Sequence, residues 1–91
     1  MGKPYNTIID KEAMYDIMAR LSYENDVEFM LKDDVIIVKA YDKHYNKMMT
    51  YQLVVFKDQI SHVGPLEVYW VDNNRSFRVA SIDTFIDWLV E

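Results

Sequence analysis

The chain has 91 residues, with 10 Lys plus Arg against 15 Asp plus Glu, 51% hydrophobic residues, no cysteine, two Gly and two Pro. A chain of this length holds one core and buries roughly 60% of the surface its unfolded form exposes, so a single domain over residues 1–91 is expected and a second is excluded. The apolar content argues against disorder, the lack of Cys excludes disulfides and thiolate chemistry, and apolar runs such as 35–38 and 53–56 are too short to span a bilayer.

The residues after Met1 lack the apolar stretch of an export signal, and a secreted domain this small usually carries disulfides, so a cytoplasmic location is expected. The first strong period is helical. Ala13, Met14, Ile17, Met18 and Leu21 fall on one stripe, with Glu12, Asp16 and Arg20 opposite, which predicts an amphipathic helix over 11–23 with Asp10 as its N-cap. From Val27 the period changes to two. Residues 27–32 and 35–41 read as strands joined by a tight turn at Asp33-Asp34.

A third strand is predicted over 48–57, after a polar connection at 42–47. A short segment at 60–63 follows and stops at Gly64-Pro65, where Pro65 marks a strand start or an edge. Residues 66–71 and 76–80 form the last pair, with a turn at 72–75. Ser81 is a suitable N-cap, and Ile82, Phe85, Ile86 and Leu89 make a helical stripe to the chain end. No helical pattern separates the strands, so parallel crossovers are unavailable. The expected fold is α+β in two layers, an antiparallel meander of about five strands with the N-terminal and C-terminal helices on one face.

Enzyme signatures fail one after another. The only glycines are Gly2 and Gly64, which rules out phosphate-cradling loops and a nucleophile elbow. His44 and His62 are the only imidazoles and lack ligand spacing. Asp83 and Asp87 share a helix face, and Asp33 and Asp34 share a turn, but helix starts, solvated faces and turns account for these positions. No catalytic residue, metal ligand or cofactor is assigned.

Charge is unevenly placed. Residues 1–34 carry −4, residues 35–64 carry +2 and residues 65–91 carry −3. The central excess, Lys39, Lys43, Lys47 and Lys57, is interleaved with Tyr41, His44, Tyr45 and Tyr51. Cations among flat rings suit single-stranded nucleic acid, so a module using Lys39, Lys43, His44, Tyr45 and Lys47 in the 39–51 hairpin is one alternative. The acidic balance opposes it, because nucleic-acid binders normally show a strong basic excess. The reverse reading uses the acids. Asp16, Glu24, Asp26, Asp33 and Asp34 would present negative charge to a basic groove on another protein.

Strand parity supplies a further surface. With Val27, Phe29, Leu31, Ile36, Val38, Leu53, Val55, Leu66, Val68, Trp70, Phe77 and Val79 turned to the helices, Met30, Val35, Ile37, Tyr41, Val54, Phe56, Tyr69 and Val71 face the other way. That face also holds Lys39, Gln52, Glu67 and Arg78, giving apolar and aromatic anchors in polar surroundings. Met30, Ile37, Tyr41, Phe56 and Tyr69 are the candidate contacts, for a partner protein or for a second copy in a homodimer.

In its general character, small, acidic, cysteine-free, with Tyr and Met but no catalytic motif, the chain is similar to short bacteriophage and mobile-element proteins that inhibit host nucleases. Anti-CRISPR and anti-restriction proteins belong to that class. It is also similar to small acidic immunity proteins that neutralise toxins. The resemblance rests on composition and assigns no residue. It implies a non-enzymatic binding protein that occludes a site on a larger protein such as a nuclease.

Overall fold

Helix α1, Lys11–Leu21, starts where the sequence supplies a cap. The Asp10 backbone is extended, and its carboxylate accepts from the Ala13 N–H at 3.1 Å, satisfying one of the amides a helix start leaves free. Met14, Ile17 and Leu21 are buried. The helix ends at Leu21, two residues before the predicted boundary. Ser22 closes it through an N–H to Met18 O, and Tyr23 and Glu24 continue only as turn, with Tyr23 exposed. The computed structural model describes residues 9–57, 66–71 and 74–90. The predicted segment at 60–63, His62, Gly64-Pro65, Lys3, Asp58, Gln59 and the Asp72-Asn73 pair lie outside the described residues.

Five antiparallel strands follow in sequence order: β1 Val27–Lys32, β2 Val35–Asp42, β3 Lys47–Val55, β4 Leu66–Trp70 and β5 Arg75–Val79. The β1–β2 connection is the two-residue turn Asp33-Asp34, with φ of 53° and 63°. Two left-handed residues in succession match the right-handed twist of the flanking strands, and Asp reaches this region at less cost than most side chains. Glycine reaches it at none. Asp34→Gly should therefore raise stability by about 0.5–1 kcal/mol, read as a higher urea midpoint with unchanged slope. The exposed Lys11–Asp34 pair at 3.7 Å that this variant loses contributes little.

Asparagines that end the β2–β3 and β4–β5 connections share a device. Asn46 and Asn74 take φ of 62° and 59°, and their side-chain oxygens accept from the hydroxyls of Tyr41 and Tyr69, each five residues earlier. Each turn residue thus fixes a ring at the end of the preceding strand.

Register and parity agree with the predicted faces, except that Leu31, opposite Ile36 on edge strand β1, stays exposed instead of joining the core. Ile36, Val38, Leu53, Val55, Leu66 and Val68 are buried beneath the helices, with Val27, Phe29, Trp70, Phe77 and Val79 packed around them. Helix α2, Ile82–Val90, adds Phe85, Ile86 and Leu89 to this core, and Ser81 Oγ accepts from the Thr84 N–H at 3.4 Å. Both helices lie on this face, α1 against β1 and β3 and α2 against β2 and β5. Arg20 joins them, its guanidinium 2.8 Å from both Glu24 and Asp83.

Four core positions were not anticipated. Ala40, Met49, Tyr51 and Asp42 all point to the helices and are buried. Asp42 was expected in a polar loop and Tyr51 beside the hairpin cations. Strand β2 instead continues to Asp42, which stays in register with Lys47, so the alternation that buries Ile36 and Val38 also buries Asp42.

Candidate functional site: the uncovered sheet face

Both helices occupy one face of the sheet, and among the described residues none packs over the other. Cross-strand register assembles this face in rows. Met30, Ile37, Gln52, Tyr69 and Ser76 are successive neighbours from β1 to β5. A parallel row runs Glu28, Lys39 and Thr50, and a third runs Val54, Glu67 and Arg78. The middle row is mainly apolar. Opposite charges sit directly across from each other in the flanking rows, Glu28 with Lys39 and Glu67 with Arg78, an arrangement that favours pairing across strands.

The apolar side chains here are left in water to an unusual degree. Met30 is 57% exposed, Met48 58% and Tyr41 46%. Val35, Ile37, Val54, Phe56 and Tyr69 are half-buried. Phe56 lies just beyond β3 in an isolated bridge to Ile9, and the Arg78 guanidinium stands 4.5 Å from its ring centroid, a cation–π contact. A shallow dimple between β1 and β2 is lined by Glu28, Phe29, Met30, Ile37 and Lys39. Tyr41 and Tyr69 are held by their turn asparagines, so both rings are oriented before any partner arrives.

The structure thus brings Met30, Ile37, Tyr41, Phe56 and Tyr69 onto one surface. Met48 belongs to it and was missed by sequence reasoning, although it shares parity with Gln52 and Val54. Val71 is exposed but lies in the turn after β4.

The acidic candidates do not form one patch. Asp16 is exposed on α1, and Glu24 is engaged with Arg20. Asp26 precedes β1 whereas Asp33 and Asp34 follow it, which separates them by the length of a six-residue strand, about 20 Å. The basic candidates divide too. Lys39 is on the uncovered face and Lys47 opens β3, while Lys43, His44 and Tyr45 occupy the β2–β3 turn. Lys43 Nζ donates to Val90 O at 2.9 Å and thereby closes the C-terminus of α2, which has no basic residue in its last turn. The His44 ring stacks on Trp88 at 4.7 Å.

Behind this turn lies a polar site within the core. Asp42 Oδ2 accepts from the Tyr51 hydroxyl at 2.7 Å, and Oδ1 accepts from the N–H groups of His44 at 2.8 Å and Tyr45 at 3.3 Å. Burial, then the hydrogen bond to Asp42, push the Tyr51 phenol well above its ordinary range, so it stays a proton donor at all ordinary pH. Tyr51 also meets Phe85 edge-on at 5.3 Å and Trp88 at 6.2 Å. The buried Trp70 Nε1–H has no hydrogen-bond acceptor among the described residues, although it approaches Tyr51 closely enough to offset a little of that rise.

Among the described residues no three His, Asp or Glu side chains gather as a metal site, and no helix is long and apolar enough to cross a membrane. No protein-family model, curated protein or solved structure matches the chain.

Proposed function

We propose that this chain is a non-enzymatic protein-binding module that docks through its uncovered sheet face onto a larger protein and occludes a functional surface there. The observation that carries the reading is the placement of Met30, Met48 and Tyr41, each about half exposed or more, with Ile37, Phe56 and Tyr69 on one face. Apolar and aromatic side chains interspersed with polar ones are common at interfaces, and two tyrosines already held by hydrogen bonds lose little freedom on binding. The charges on the face itself balance, Glu28 and Glu67 against Lys39 and Arg78, while the net charge of −5 favours long-range encounter with a basic partner such as a nuclease channel built for phosphates. Inhibition of a host nuclease and neutralisation of a toxin both fit this mode.

The test is affinity capture from the native host with the wild-type chain and with the double variant Met30→Glu/Met48→Glu. Both positions are largely solvated, so the variant should keep its stability within about 0.5 kcal/mol. Two charges at the most exposed apolar positions of the face should weaken capture of the specific partner by at least about tenfold. Undiminished capture contradicts the reading. Self-association lost in the variant, read by sedimentation, identifies a second copy as the occupant.

A further inference from the structure

The strands pair in sequence order, so among the described residues the sheet has two open edges, β1 and β5. On β1 the two-residue turn fixes which backbone groups are left open. Lys32 and Val35 flank that turn as partners, so Lys32, Met30 and Glu28 exchange their bonds with β2, and the N–H and C=O groups of Val27, Phe29 and Leu31 point away from the sheet. Two apolar side chains stand beside this open ladder, Leu31 at 42% exposure and Met30 at 57%. Natural edges are usually blunted by charge. The charges of β1 are Glu28 and Lys32, of opposite sign and both exposed. Lys32 faces only Val35 across the hairpin, and Glu28 faces Lys39, but neither Glu28 nor Lys32 forms an ion pair among the described residues.

We propose that β1 is a self-recognition edge: two copies of the chain pair β1 to β1, antiparallel, about a twofold axis through Met30, and so join two five-stranded sheets into one. In this register Glu28 of each copy lies opposite Lys32 of the other, and Phe29 lies opposite Leu31. Residues 29 and 31 are the ones whose backbone groups point outward, so each such pair exchanges both ladder bonds, and Met30 meets Met30 in the closer, non-hydrogen-bonded pair on the axis. Leu31 gains an aromatic cross-strand neighbour on the helix side. A slip of one residue would set open backbone groups against bonded ones, and a slip of two would place Glu28 or Lys32 opposite Met30. Beyond the strand Asp26 falls level with Asp34 of the other copy, but Asp34 lies in the turn that leads away from the edge and is paired with Lys11 at 3.7 Å. Strand β5 has no such match. It carries Arg75 and Arg78 and no acid, so two copies would bring like charges together there, and β1 against β5 is a head-to-tail contact that gives no closed dimer. An extended peptide would satisfy the same backbone groups, but the second copy also brings Lys and Glu at the matching spacing. The edge is distinct from the uncovered face, although Met30 belongs to both, and does not depend on the reading given for that face.

Sedimentation of the full chain from about 1 μM to about 1 mM should show a monomer–dimer equilibrium, weak because a short strand pair is a small interface. Lys32→Glu sets like charges opposite each other twice and should weaken the dimer by at least about tenfold, and the reversal Glu28→Lys/Lys32→Glu should recover most of that loss. Far-UV circular dichroism checks that each variant keeps the fold. A second readout uses the absence of cysteine from the chain. In the close antiparallel pair the Cα atoms are about 4.5 Å apart, within disulfide reach, so mild oxidation of Met30→Cys should give a covalent dimer that Met48→Cys does not give. Met48→Glu alone should leave the dimer intact while weakening capture of the host partner, and Lys32→Glu should do the reverse, which keeps failure here distinct from failure of the sheet-face reading. A chain that stays monomeric over the whole range, a dimer that Lys32→Glu leaves unchanged or that the double reversal does not recover, or a Met30→Cys chain that does not crosslink, overturns the proposal.

Discussion

Asp42→Ala should cost about 3 kcal/mol or more, against a total stability of about 5–15 kcal/mol for a domain of this kind. Asp42 is fully buried, and its two oxygens accept from three donors: the Tyr51 hydroxyl and the N–H groups of His44 and Tyr45. Alanine removes the acceptors and leaves the donors behind. The Tyr51 hydroxyl has no water to turn to, since that residue is also fully buried. Asp42→Asn should cost distinctly less, because the amide keeps one acceptor oxygen and its NH₂ can donate to the Tyr51 oxygen. The order is read from urea midpoints. A loss below about 1 kcal/mol for alanine would mean that the turn relaxes and hydrates its donors, so that Asp42 does not pin the β2–β3 connection.

The second large effect is alkaline. The Tyr51 phenol is raised by burial first and by its bond to Asp42 second. A phenol with a higher pKa in the folded chain than in the unfolded one holds its proton more tightly when folded. Its contribution is therefore fully present below the unfolded value near 10 and is lost as pH rises above it. Over that window the unfolded chain binds fewer protons than the native one, and this group lowers stability by about 1.4 kcal/mol per pH unit. Between pH 10 and pH 12 the loss from Tyr51 should reach about 2 kcal/mol at most. Tyr51→Phe should start about 1–3 kcal/mol less stable at pH 7, because it takes a donor from Asp42, and should then show a shallower alkaline decline. Equal slopes in the two proteins, measured by denaturant unfolding across the window, would contradict this account.

The sequence was most readable where one physical pattern governed a long segment. Period three to four placed Met14, Ile17, Leu21, Phe85, Ile86 and Leu89 in the core, and the absence of helical patterns between strands required an antiparallel meander. The same alternation put Met30, Ile37, Tyr41 and Tyr69 on one face. It was less readable where polarity and position disagreed. Asp42 looks like the first residue of a loop, and only the register of β2 against β3 shows that it completes an inward row. Tyr51, read as an available ring because of nearby lysines, follows Leu53 and Val55 into the core.

The distribution of acids was beyond the reach of composition. Eight acidic residues crowd positions 1–34, but folding spreads them over α1, the sheet face and both ends of β1, and commits Glu24 and Asp34 to ion pairs. The packing of Trp70, Phe77 and Trp88 against one another was hidden for a related reason. Trp70, Phe77 and Trp88 belong to three elements that only the packing of α2 against the sheet brings together. Among the described residues, what the fold leaves to the outside is thus a sheet face with ordered anchors rather than a single acidic patch.

The most direct measurement is site-specific photo-crosslinking in the native host, with the reactive group placed in turn at Met48, Tyr15 and Asp87. All three positions are exposed, but only Met48 is on the uncovered face. The account predicts a strong adduct with one protein from Met48 and none with that protein from Tyr15 or Asp87. Adducts from the helix positions, with none from Met48, would place the working surface on the opposite side of the molecule and contradict it.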